Sequence, residues 1–263
     1  QLVAMTPAQY AALTADQAAA IDSADMSALE TNDLRAISSS ALRALGSAQL
    51  DALGTAQWQS LSTTQVSQLT STQVNELSTT AIQALTSAQV AALSSSQTAA
   101  LTTAQVLAID SADLRAIATA ALRALDSAQI AALTTDQIAA LTTGQVQSLS
   151  TDQLIGLASD DMSALSSLQI AALSTAQARA LSTTQLAGID TADMRALSTQ
   201  ALATLDSEQI AGLSSAQVAA LTSTQLGTLT TTQWAGLASE DMAALNSAQI
   251  AAMNASQASA LTS

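Results

Sequence analysis

From Met5 to Ala260 the chain repeats every eight residues, through 32 octads without an insertion or a deletion. A period this short rules out an ordinary globular fold, because one octad cannot bury its own apolar face and must stack on others. Two large apolar side chains do not offset the entropy lost when eight backbone units are ordered. Gln1-Leu2-Val3-Ala4 match the second half of an octad, and Leu261-Thr262-Ser263 match the first three positions of another. The expected organisation is therefore one continuous array over residues 1–263, without separate domains, that is a window of a longer array or continues into identical neighbours.

The octad reads Leu-[Ser/Thr]-[Ser/Thr]-x-Gln-[Val/Ile/Leu/Met]-x-Ala, as in Leu101-Thr102-Thr103-Ala104-Gln105-Val106-Leu107-Ala108. Position one is Leu, Ile or Met throughout, and position six is apolar with Thr98 as the polar exception. These two positions are the candidate core. Position two departs from Ser or Thr mainly toward Asp (Asp22, Asp110, Asp126, Asp190, Asp206), Asn (Asn246, Asn254) and Gly (Gly46, Gly54), which is the preference list of a helix N-cap. Three residues later, position five is Gln in 22 octads and Asp in six, so the pair reads as a capping box. Thr6-Pro7-Ala8-Gln9 puts the chain's single proline at the first helical position, where a missing N–H is harmless. A helix is expected to start in every octad.

Such a helix can run from position three to about position eight. One continuous helix is the competing reading, but eight residues advance a helical wheel by about 800°, so a Leu stripe would drift roughly 80° per octad. Adjacent Ser and Thr residues also favour caps and turns over long helices. A β-solenoid is the other alternative, and the Ala and Gln content argues against it. The fold class is accordingly all-α: a solenoid of very short capped helices, with small position eight, including Gly156, Gly188, Gly212 and Gly236, allowing close backbone approach.

The residue inventory limits function. With no Cys, no His and only six basic residues, the chain lacks an imidazole base, a thiolate nucleophile and the usual zinc ligands. Its many serines have no base to activate them. No enzymatic activity is expected. The net charge of −14 repels nucleic acid and anionic membranes. The hydroxyl pair in each octad interrupts any run long enough to span a bilayer.

A longer register lies over the octads. Leu29–Ala36 aligns with Ile109–Ala116 and Ile189–Ala196, 80 residues apart, and Ala41, Ala121 and Ala201 follow in place of Gln. Ala81, Asp161 and Asp241 hold the same spacing. Duplication of an 80-residue block accounts for this register. A lateral contact recurring at fixed intervals would also use it, and the landmark spacing of six and four octads would suit two octads per solenoid turn.

Few residues could carry chemistry. Asp110 with Asp113, Asp190 with Asp193, and the adjacent Asp160 and Asp161 are the places where calcium would be sought. The simpler reading is that each acid caps a helix N-terminus, and no Asp-x-Asp-x-Asp-Gly loop occurs. No other cofactor is expected. Arg35, Arg115 and Arg195 occupy equivalent places in the 80-residue register and are candidate lateral contacts to carboxylates of another copy, the alternative being surface pairs within the chain. Trp58, Trp234 and Tyr10 stand at position six as core, and the position-three hydroxyls are free to accept O-linked sugar.

The pattern resembles the Leu-Thr-x-x-Gln octad tracts of large, acidic, cysteine-free secreted bacterial surface proteins of the adhesin or matrix type. That resemblance implies a structural role at or beyond the cell surface: an extended rod, a self-assembling filament or a surface-layer element. Its partners would be further copies, joined end to end or laterally. The alternative is the stalk or binding module of an adhesin that engages a receptor or glycan.

Overall fold

The computed structural model describes residues 4–260 and contains a short α-helix in every octad, from Pro7–Ala11 to Ala255–Ala260, with no strand among the described residues. The helices are four to six residues long. The partial octads at the two ends, on which the expectation of a longer array rests, lie largely outside the described residues. The coordinates form two compact units, residues 1–133 and 134–263, and the octad period is the same in both. Each unit is a solenoid.

One octad of the second unit shows how the chain turns. Helix Thr135–Ala140 stops at Leu141, which has φ −56° and ψ 142°. Thr142 is also extended, at φ −73° and ψ 157°, and helix Thr143–Ser148 begins after it. Two extended residues therefore make each such corner. No described residue has a positive φ, so the corners need no left-handed glycine. Thr142 closes the capping box: its N–H donates to Gln145 Oε1 at 2.8 Å, and its hydroxyl accepts from Gln145 N–H at 3.1 Å. Where position two has no side-chain acceptor the other half survives, as in Gly46 N–H to Gln49 Oε1 at 2.8 Å.

The same glutamine makes a second set of bonds that capping does not call for. Its Nε2 donates to two carbonyls of the preceding turn of the solenoid, those of position six and of the next position one. Gln105 Nε2 reaches Val74 O at 2.8 Å and Leu77 O at 2.6 Å. Gln185 Nε2 reaches Leu154 O and Leu157 O, both at 2.8 Å. Gln177 does the same to Val146 and Leu149. The position-one carbonyl lies past the helix end, where C=O groups lack an intrahelical partner, and the position-six carbonyl also accepts a turn bond, as from Leu77 N–H to Val74 O at 3.3 Å. A ladder of buried amides thus holds successive turns together, its rungs being Gln side chains only 1–7% exposed over most of the chain.

The rungs correct the expected pitch. Bonds join an octad to those three and four earlier, and helix pairs such as Ser87–Ala91 with Ser111–Ala116 pack three octads apart. One turn takes between three and four octads, not two. The octad motif governs corner and cap, whereas the pitch depends on which carbonyls the Gln amide can reach.

Positions one and six form the core, with Leu and Ile at position one mostly 2–8% exposed and position six mostly fully buried. Thr98 is buried with its hydroxyl on Ser94 O at 3.0 Å, one helical turn back. Small residues at position eight meet the preceding turn: a Cβ on Gly188 would lie 2.4 Å from Ser159 O, whereas one on Gly144, at position four, would meet nothing within 4 Å.

Two substitutions separate ladder from cap. Glutamate serves a capping box as well as glutamine, but Gln105→Glu puts a carboxylate against two carbonyls in a buried site. It is expected to destabilise by about 3–5 kcal/mol, and Gln105→Ala by about 1–3 kcal/mol; denaturant unfolding should rank Glu below Ala. Gly188→Ala should lose about 1–3 kcal/mol through overpacking, while Gly144→Ala should gain about 0.5–1 kcal/mol, as a paired thermal melt will read.

Candidate functional surface

The acidic candidates serve mainly in capping and in contacts between turns. Asp110 is an exposed N-cap whose Oδ1 accepts from Asp113 N–H at 2.9 Å. Asp113 is buried and accepts a hydrogen bond from Ser87, in the preceding turn. Asp193 accepts likewise from Ser167, and Asp241 from Ser215 at 2.7 Å. Asp161 is buried and accepts from Ala158 N–H at 2.9 Å, replacing a glutamine in the cap. Asp190 and Asp160 are exposed, and Asp190 makes no side-chain cap bond. Among the described residues no three acidic side chains gather into a group that could hold a metal ion.

The Ser–Asp bonds show what sequence reasoning missed. An Asp at position five has no N–H to donate to the carbonyls that Gln holds, and one carboxylate oxygen instead accepts from a hydroxyl at position three of an earlier octad. Ser87, Ser167 and Ser215 are therefore engaged, not free as expected of position three. A signal was available in the composition of position five, which is Gln, Asp or Ala in all octads and Glu in none. A cap alone would tolerate Glu; a donor ladder does not.

The register arginines are exposed. Arg195 donates through Nε to Ala220 O at 3.0 Å and lines an open groove of about 500 Å³ with Thr191, Ala192 and Ala216. Asn75 makes the equivalent bond, from position seven to Ala100 O at 2.6 Å. So this polar position fastens one turn to the next in at least these two places. Arg35 and Arg115 occupy the same octad position on the surface.

Trp58, Trp234 and Tyr10 are fully buried, as expected of position six. Both indole Nε1 atoms are buried without a hydrogen-bond partner. Among the described residues no helix is long and apolar enough to cross a membrane.

Short helices stacked turn on turn by side-chain amides define a tandem helical repeat protein. The sequence model of the ALTTAQ repeat matches residues 26–63, 75–103, 106–143, 154–188 and 186–223, more than half of the chain, and the chain belongs to that repeat family. The six letters stand literally at Ala100-Leu101-Thr102-Thr103-Ala104-Gln105, positions eight and one to five of the octad. A comparison with curated proteins gives no match.

Burial raises the pKa of the Tyr10 phenol above its usual value, and the negative charges of Asp33 and Asp25 add to the effect. The folded chain thus keeps the phenolic proton longer than the unfolded one. Stability should be intact below about pH 10 and fall as the pH rises beyond it. Tyr10 is the only tyrosine, so its ultraviolet tyrosinate band should appear late and together with unfolding, and Tyr10→Phe should remove that part of the alkaline loss.

Proposed function

We propose that the chain is a non-catalytic structural element of the cell exterior that extends by stacking turn on turn with further copies of itself. The observation that carries this reading is the polarity of the ladder. One face of every turn offers amide donors and the other offers helix-end carbonyls, so any open face is complementary to the opposite face of another copy. Gln9 and Gln17 carry the same amide: each uses Oε1 within its own octad, and both are exposed. The lack of thiols suits a protein kept outside the cell, where oxidation would attack cysteine.

Sedimentation across a concentration series, with negative-stain microscopy, tests the reading. The parent chain is expected to associate into uniform fibres. Gln9→Glu combined with Gln17→Glu keeps the capping acceptor and removes the donors, so it should abolish association while the helical circular dichroism is unchanged. A parent chain that stays a monodisperse single copy at all concentrations would sink the proposal.

A further inference from the structure

The 80-residue register coincides with the interruptions of the amide ladder. Position five departs from Gln at Asp25, Asp33, Ala41, Ala81, Asp113, Ala121, Asp161, Asp193, Ala201 and Asp241. All but Asp25 fall into three series spaced by 80 residues. Two of those series are neighbours in sequence, so interruptions fall in adjacent octads at Asp33 and Ala41, at Asp113 and Ala121, and at Asp193 and Ala201.

At these double interruptions two consecutive rungs are missing. Ala121 has no amide to offer Val90 O and Leu93 O, and Ala201 none for Ile170 O and Leu173 O, the carbonyls at the ladder's spacing. Asp113 and Asp193 each supply one hydroxyl-to-carboxylate bond in place of a rung that would donate to two carbonyls. Among the described residues the two shortest helices, Thr119–Leu122 and Thr191–Met194, lie in two of these six octads, and neither has a side-chain cap bond. Elsewhere the helices have five or six residues.

We infer that the double interruptions are built-in yield points, at which the stacked turns part first, dividing the array into segments of 80 residues that open one at a time. In a repeat array, stability is close to a sum over neighbour interfaces, so opening concentrates at the weakest of them. The register then has a mechanical meaning: it sets the step in which the array gives way under load or heat.

Hydrogen–deuterium exchange on the intact chain tests this. Within residues 1–133, amides of Ser111–Ala116 and Thr119–Leu122 are expected to exchange at least about tenfold faster than those of Thr55–Ser60 and Thr63–Gln68. Within residues 134–263, those of Thr191–Met194 and Thr199–Ala203 should likewise outpace Ser215–Ala220. Ala121→Gln should slow its junction to the level of its neighbours. Because Ala121 is buried and a larger side chain there must displace its neighbours, the reverse variant is the stronger arm: Gln57→Ala with Gln65→Ala should create a new fast-exchanging site where the parent has none. Uniform exchange along each unit, or a double variant as protected as the parent at Thr55–Gln68, would overturn the inference.

Discussion

The side-chain amide of the position-five glutamine, present in 22 of the 32 octads, holds this fold together. Its oxygen caps the helix it belongs to and its nitrogen caps the ends of helices a turn away, so a single group satisfies orphan donors and orphan acceptors at once. Helices of four to six residues have almost no internal hydrogen bonds, and nearly all their N–H and C=O groups count as termini. A protein made only of helix ends needs a capping group at every corner, and it must be buried and fully bonded, since a half-satisfied amide in that position would be destabilising. The amide meets this condition because it carries two N–H donors beside a separate acceptor oxygen, whereas a carboxylate has no donor and a hydroxyl only one.

Core and ladder depend on each other. Leu at position one and the aliphatic at position six fill the interior, and their carbonyls receive the amide from the next turn. Position eight is mostly small, and where the backbone of the preceding turn comes closest only glycine fits, as Gly188 against Ser159 demonstrates. Packing sets how near the turns come; the amide sets which residues face one another. Where Asp or Ala replaces Gln, contact between turns falls to serine hydroxyls, polar side chains at position seven and apolar burial alone.

Much of this was legible in the residues. Ser, Thr, Asp, Asn and Gly at position two announced a helix start, Pro7 confirmed its phase, and the alternation of Leu and aliphatic residues marked the core before any coordinates. The number of octads in a turn was not legible, because it depends on a bond between residues about 30 apart that leaves no local trace. The capping box was itself the obstacle: it accounts for the glutamine through its oxygen and leaves its two N–H donors unassigned. Asp110 and Asp161 make cap bonds, the simpler of the two readings their positions allow. The bonds from Ser87 to Asp113 and from Arg195 to Ala220 belong to the solenoid's pitch and could not be seen without it.

Because every rung is anchored three and four octads back, the array obeys a simple arithmetic of length. Adding or removing a whole octad re-pairs each later amide with an equivalent pair of carbonyls, and the chain closes over the change. Adding one residue instead would set each rung that reaches across the insertion against the wrong carbonyl. Such a gene can grow or shrink in units of 24 nucleotides, but a three-nucleotide slip damages every turn that spans it, and this asymmetry accounts for a reading frame of eights kept without a slip from Met5 to Ala260.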